Sequence, residues 1–137
     1  MPRSITAAQI AHAETAMHAA HDGSLGFPQI IGLLMGAGFE GYTVDYRANG
    51  QTFHLPSGAG HSLAMPGLPG PVAARFDAAE IARLIRWAQS GAADYSYAAF
   101  CDQAKAAGCA GYFVSFLGRR VLYFGRSAET HVEHFPT

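Results

Sequence analysis

Apolar residues recur with a helical period in four segments of this chain. Ile81, Leu84 and Ile85 have the i, i+3, i+4 spacing that is typical of one face of an amphipathic helix. The apolar sets of the other three segments are Ile10, Ala13 and Met17, then Phe27, Ile30, Ile31 and Leu34, then Tyr97, Phe100, Cys101 and Ala104. The pattern therefore predicts four helices.

Residues suited to helix ends flank these segments. Residues 6–9 and 77–80 read Thr-Ala-Ala-Gln and Asp-Ala-Ala-Glu, the pattern of a capping box, in which two side chains satisfy free backbone N–H groups reciprocally. Gly38 and Gly108 stand where a residue of left-handed conformation would end the second and fourth helices.

The apolar period changes to two after each of these glycines. Residues 42–46 and 112–116 place large apolar side chains at alternate positions, which is typical of strands with one buried face. Turn sequences follow both runs, so each half is expected to form an antiparallel hairpin. The returning strands are predicted at 51–55 and 121–124, and short further strands at 62–65 and 130–135.

The two halves of the chain repeat one another. Residues 27–61 align with residues 97–131 without a gap at an offset of 70, and the segments that begin the two halves align at an offset of 71. Identical pairs in the gap-free stretch are Ala37/Ala107, Gly38/Gly108, Gly41/Gly111, Tyr42/Tyr112, Val44/Val114, Ser57/Ser127 and His61/His131. The sequence therefore predicts an α+β fold made by internal duplication of an ααββ unit, with an antiparallel sheet, helices packed on one face and a pseudo-twofold axis.

A single domain is expected to span residues 1–137. Its repeats cover about residues 5–65 and 76–136, and a linker rich in proline and glycine at residues 66–71 joins them. A free half of roughly 60 to 70 residues would bury too little surface to be comfortably stable. We therefore expect the repeats to share one core.

Composition limits the classes of function. The 137 residues are 50% hydrophobic and 14% charged, with a formal net charge of −1. A packed globule fits these values, whereas a nucleic-acid-binding protein would carry a basic surface. Because no apolar run reaches the length of a membrane span, we expect a cytoplasmic protein that binds neither nucleic acid nor membrane. Cys101 and Cys109 align with Ile31 and Phe39, which indicates core positions for both thiols.

A ligand-binding cleft between the repeats is one alternative for the function. Its candidate residues are His54, His61, Arg126, His131 and Glu133. A site of this kind would support a small-molecule or metal-dependent activity. No H-E-x-x-H motif is present, and on a strand His131 and His134 would point to opposite faces, so no metal site is predicted. Partly exposed histidines at strand ends are the favoured interpretation.

Neither the dinucleotide-binding motif nor a catalytic nucleophile has the sequence context that its function requires. Residues 36–41 read G-x-G-x-x-G, but they follow a predicted helix and precede a predicted strand, the reverse of the order that a dinucleotide-binding turn requires. No cofactor is therefore predicted. The serine and cysteine residues lack a nucleophile elbow, so no catalytic residues are assigned and the chain is not expected to be an enzyme.

The leading hypothesis is a non-enzymatic interaction module. Alternation in the second hairpin leaves Phe113, Leu122 and Phe124 on the face opposite the core, whereas the first hairpin carries Thr43, Thr52 and His54 there. Covering by another segment of the chain, or by a partner subunit, would explain an apolar second face in one half only. We expect self-association as a homodimer through these three apolar residues.

The second half also carries a family signature. Residues 112–126 read Tyr-Phe-Val-Ser-Phe-Leu-Gly-Arg-Arg-Val-Leu-Tyr-Phe-Gly-Arg, and residues 129–136 read Glu-Thr-His-Val-Glu-His-Phe-Pro. Together with Phe76-Asp77-Ala78 and Tyr95-Ser96-Tyr97, these strings resemble the YdfO-like family, small bacterial and prophage proteins of unknown function that often carry the label "phage envelope protein". The resemblance implies a small α+β protein and brings no catalytic or binding residues with it.

Overall fold

The computed structural model describes residues 4–67 and 69–136, and within them the chain forms four helices and one six-stranded sheet. The helices are α1 (Ala7–Asp22), α2 (Phe27–Gly36), α3 (Ala78–Gln89) and α4 (Tyr97–Ala106). The strands are β1 (Gly41–Asp45), β2 (Gly50–His54), β3 (Gly60–Ala64), β4 (Cys109–Ser115), β5 (Arg120–Gly125) and β6 (Thr130–His134). The predicted α+β class is confirmed.

The expected capping residues begin the helices, with one difference. The Thr6 hydroxyl accepts a hydrogen bond from the Gln9 N–H at 3.1 Å, and Gln9 accepts one from the Thr6 N–H at 3.0 Å, so the first capping box is complete. Asp77 caps α3, but Glu80 does not reach back to it. Its carboxylate instead pairs with Arg83 at 2.6 Å, so the second box forms only in part.

All neighbouring strands of the sheet are antiparallel, in the order β3-β2-β1-β4-β5-β6. The two predicted hairpins are present, and they join through the β1–β4 pair at the centre. The short further strands are full members of the sheet and form its two edges. The order of elements in each half is therefore ααβββ, one strand more than the predicted ααββ unit.

The core lies against one face of the sheet. Val44, Phe53 and Val114 are fully buried and all project from this face, where Leu34 of α2 and Leu84 of α3 meet them. Strand residues with side chains on the opposite face are all half-buried or exposed. We call this second surface the outer face. The helices thus pack on one face, as predicted, and Cys101 and Cys109 are both buried.

Some of the predicted segments fall outside the described residues. Residues 1–3 and 137 of the predicted domain do so, as does Leu68 in the predicted linker. The other linker residues, 66–67 and 69–71, belong to neither helix nor strand. None of the helices within residues 4–67 and 69–136 is long and apolar enough to cross a membrane.

Candidate functional site

A row of six side chains crosses the outer face at right angles to the strands. Strand register places Ser62, Thr52, Thr43, Phe113, Leu122 and Val132 directly beside one another in that order. The first three carry hydroxyl groups, and the last three are apolar. We call these the hydroxyl half and the apolar half of the row. Since side chains opposite one another in a sheet are in contact, each half is a continuous strip.

The apolar half is open to solvent. Phe113 is 40% exposed and Val132 is 37% exposed, while Leu122 and Phe124 are half-buried. The Phe124 ring lies against Gly111 on the neighbouring strand, where an added Cβ would be 2.8 Å from the ring. Of the three residues expected to form the interaction surface, Phe113 is therefore the most accessible. The exposure of Phe113 and Val132 means that no segment among residues 4–67 and 69–136 covers this strip.

Side chains of the hydroxyl half satisfy one another. The Thr52 hydroxyl lies 2.7 Å from the Ser62 hydroxyl, and the Thr43 hydroxyl lies 2.8 Å from Nε2 of His54. The edge of the His54 ring also contacts Phe113, with the two ring centroids 6.1 Å apart. His54 is therefore part of the outer face, where it joins the hydroxyl half to the apolar half.

His131 and Glu133 form a pair on the helix-side face of the edge strand β6. Nε2 of His131 lies 2.7 Å from Oε2 of Glu133, and 23% of the first side chain and 33% of the second are exposed. The His131 ring also packs beside Tyr123, at a centroid separation of 6.4 Å. These two residues are the only members of the predicted ligand site that the structure brings into contact.

The other predicted ligand residues lie elsewhere. His61 is on β3, at the far edge of the sheet from β6, roughly 24 Å away at the usual spacing of about 4.8 Å between strands. His54 is on the opposite face, and Nη1 of Arg126 donates a hydrogen bond to the Val72 carbonyl at 3.2 Å. The five residues therefore share no cleft, because the two halves meet in a continuous sheet at β1–β4.

Two surface grooves and the arrangement of possible metal ligands bear on the predicted ligand site. One surface groove runs beside Glu14 and His18 of α1, and another lies beside Arg75 and Glu80; neither contains a predicted ligand residue. Among the described residues, no group of three or more histidine, cysteine, aspartate or glutamate side chains is arranged to hold a metal ion.

Sequence reasoning missed a polar cluster in the core. The hydroxyls of Tyr97 and Tyr112 hydrogen-bond to each other at 2.5 Å, and His21 of α1 packs edge-on against Tyr97. Tyr46 is 1% exposed and its ring packs beside Tyr112, yet its hydroxyl has no hydrogen-bond partner among the described residues. Burial raises the pKa of Tyr46 and of Tyr112 well above the usual value for tyrosine, so both stay neutral.

Another missed residue is Val132, which completes the apolar half. Its alternation with His131 and Glu133 was the signal, since a strand at 130–135 must place it on the opposite face from those two. Recognising it also required knowing that β6 pairs with β5.

Comparison with known proteins adds no assignment to this geometry. No protein-family model matches the chain, and no curated protein sequence is significantly similar to it.

Proposed function

We propose that the protein is a cytoplasmic, non-enzymatic interaction module that self-associates through its outer face. The observation that carries this proposal is the open apolar half of the cross-strand row, with Phe113 and Val132 exposed on a sheet whose other face is buried. Antiparallel sheets with one free face normally carry polar residues there. Contiguous apolar surface on such a face marks an interaction site.

A second copy of the chain is the occupant that the outer face fits. Its strand residues include one acid, Asp45, and one arginine, Arg120, so stacking the face on itself brings no net charge together. A twofold axis that runs along the row direction would set the apolar half on an apolar half and the hydroxyl half on a hydroxyl half. Interfaces of this kind, in which both subunits use the same patch, are the commonest in homo-oligomers.

The dimensions of the sheet limit the strength of this contact. With six strands about 4.8 Å apart and roughly five residues of 3.3 Å rise along each, the outer face covers about 480 Å². Two such faces would bury about 960 Å² together, at the lower limit for a specific interface. A contact that used the second hairpin alone, two of the six strands, would be about a third of that size, so the whole face must take part.

An internal duplication with a pseudo-twofold axis is also part of the proposal. Two features support it: the order ααβββ occurs twice, and β1 pairs with β4 so that Thr43 faces Phe113, its counterpart at an offset of 70. Membership of the YdfO-like family stays a prediction that rests on the C-terminal signature.

Native mass spectrometry at micromolar concentration tests the self-association. Phe113→Asp should halve the mass of the assembly, because it places a charge at the inner end of the apolar half, in the middle of the row. Leu117→Asp is the matched control: it sets the same charge in the turn between β4 and β5, outside the strands of the outer face, at a side chain that is 79% exposed. Circular dichroism should show that both variants are folded, and Phe113→Thr offers an uncharged second variant. A monomeric wild type would refute the proposal.

A further inference from the structure

The edge strand β6 presents free backbone groups. Hydrogen bonds from Phe135 N–H to the Arg119 carbonyl, at 2.8 Å, and from Gly125 N–H to the Glu129 carbonyl, at 2.9 Å, fix the phase of its ladder with β5. In an antiparallel ladder, bonded and non-bonded pairs alternate. Residues 129, 131, 133 and 135 therefore bond to β5, and Thr130, Val132 and His134 direct their N–H and C=O groups away from the sheet.

We propose that β6 pairs in antiparallel fashion with β6 of a second copy, with Val132 opposite Val132 and Thr130 opposite His134. This inference deepens the proposed self-association, because it identifies a second contact and explains how the outer face becomes large enough. It unites two sheets of six strands into one continuous sheet whose outer faces point the same way. Pairing of free sheet edges is a common mode of association between chains.

Hydrogen-bond complementarity on the helix-side face selects this register. When Val132 faces Val132, His131 of each copy lies opposite Glu133 of the other, next to the His131–Glu133 pair that each chain already forms at 2.7 Å. The registers shifted by one step in either direction that keep the bonding phase set His131 opposite His131 or Glu133 opposite Glu133. An imidazole N–H can donate a hydrogen bond to a facing carboxylate, whereas two facing carboxylates repel each other and two facing imidazoles make no charge-assisted bond.

The other edge lacks this complementarity. The corresponding outward groups of β3 belong to Gly60, Ser62 and Ala64, since the ladder bonds of Ala59 and Met65 fix the same phase there. Self-pairing about Ser62 would put His61 opposite Leu63, whose side chain cannot accept a hydrogen bond. Glycine also weakens a strand. β6 is therefore the edge that recognises itself.

Pairing at β6 also gives the combined outer face an apolar centre and polar ends. The apolar halves of the two copies then meet, so that Phe113, Leu122 and Val132 of both chains form one central strip, and the hydroxyl halves lie at the two ends. Protein interfaces have an apolar centre and a polar rim. The combined outer face of about 960 Å² exceeds the roughly 800 Å² per partner of a standard interface, which the face of one chain does not reach.

A proline variant tests the edge contact. The Val132 N–H points away from β5, so Val132→Pro removes an outward donor without removing a bond of the chain's own sheet, the position at which proline is tolerated in edge strands. Ser62→Pro makes the same change at the other edge, at an offset of 70, and is the matched control. The two contacts together predict a wild-type tetramer that Phe113→Asp reduces to a dimer held by β6.

Native mass spectra of double variants separate the two proposals. Phe113→Asp with Val132→Pro should be a monomer, and Phe113→Asp with Ser62→Pro should remain a dimer. A Phe113→Asp protein that is already monomeric, or a dimer that survives Val132→Pro, overturns the edge pairing. A dimeric wild type that loses its partner only with Val132→Pro would support the edge contact and refute the face contact.

Amide hydrogen exchange gives a readout that does not depend on a variant's folding. In the wild type, pairing should slow exchange of the outward Thr130 and His134 amides roughly tenfold or more, whereas the outward Ser62 and Ala64 amides of β3 should exchange quickly. Equal, fast exchange at both edges at a concentration where the assembly forms would exclude β6 from the contact. Glu133→Lys, which leaves every backbone group in place, should weaken the protection.

Discussion

Removing one hydroxyl from the core should have opposite effects at two tyrosines of the same cluster. Tyr46 buries a hydroxyl that has no hydrogen-bond partner among the described residues, whereas the Tyr97 hydroxyl bonds to Tyr112 at 2.5 Å. After burial itself, the Cys101 thiol contributes to the raised pKa of Tyr46. A thiol is only a weak hydrogen-bonding group, so it does not replace a partner for the Tyr46 hydroxyl. We therefore expect Tyr46→Phe to stabilise the protein and Tyr97→Phe to destabilise it.

The magnitudes follow from the cost of leaving a buried polar group unpaired. That cost is about 1–3 kcal/mol, so Tyr46→Phe should raise the free energy of unfolding by about 1 kcal/mol once the small void left by the oxygen is deducted. Tyr97→Phe loses a hydrogen bond and leaves the Tyr112 hydroxyl unpaired, which should lower the free energy of unfolding by about 1–2 kcal/mol. The two variants should thus differ by roughly 2–3 kcal/mol.

Thermal and urea unfolding of the two variants measure this difference. For a chain of 137 residues, the unfolding entropy is about 0.3 kcal/mol/K, so 1 kcal/mol corresponds to roughly 3 °C in Tm. The variants should then differ by about 6–10 °C. The double variant Tyr97→Phe with Tyr112→Phe is the control, because it removes both partners and should recover part of the loss. A Tyr46→Phe protein as unstable as Tyr97→Phe would refute the reasoning.

Three other predictions concern different parts of the molecule. Gly108→Ala should prevent folding as judged by circular dichroism, because the φ of Gly108 is +88° and the new Cβ would lie 2.0 Å from the Arg75 carbonyl oxygen. Gly32→Ala, which has open space around it, should instead raise the free energy of unfolding by about 0.5–1 kcal/mol. Burial lowers the pKa of His21 in the folded protein, so near the usual histidine pKa of about 6.5 the unfolded chain binds more protons than the folded one. The urea midpoint should therefore be constant above about pH 6.5 and fall as the pH drops through the folded-state pKa of His21. His21→Asn should remove this pH dependence. Cys109 is fully buried, and burial raises the pKa of its thiol to about 11, so a thiol reagent at pH 8 should label Cys109 at least ~100-fold more slowly in the folded protein than in the urea-unfolded one.

Local elements of the fold could be predicted because their signals are local. The spacing of Ile81, Leu84 and Ile85 predicted one face of α3, and all three side chains are buried. Alternation at residues 42–46 predicted a strand, which the structure has at Gly41–Asp45. The helices and hairpins depend on residues that lie within a few positions of one another in the sequence.

The grouping of the candidate ligand residues could not be predicted, because it depends on the order of the strands. His61 and His131 are equivalent positions in the two halves, and the expectation of a common cleft assumed that equivalent residues come together. Since β1 and β4 pair at the centre, β3 and β6 become opposite edges. Which strands pair at long range is decided by the burial of whole faces, and no local pattern records it.

Polar contacts in the core escaped prediction for a related reason. Tyr97 and Tyr112 both occupy positions of apolar stripes; Tyr112 is buried and Tyr97 is half-buried against the core. The bond between their hydroxyls depends on how α4 is placed over β4, which periodicity does not specify. The place of Val132 in the apolar half likewise depends on its register with Leu122, which the sequence of a short strand does not specify.

The central β1–β4 pair has a consequence for synthesis of the chain on the ribosome. Asp45 pairs with Gly111, and the difference between the two positions is 66 residues. At a synthesis rate of about 5–20 residues per second, Gly111 is therefore added roughly 3–13 s after Asp45. During that time the first hairpin has a bare edge where β4 will later add. The nascent first half is therefore the stage at which this protein is most exposed to aggregation and most in need of a chaperone.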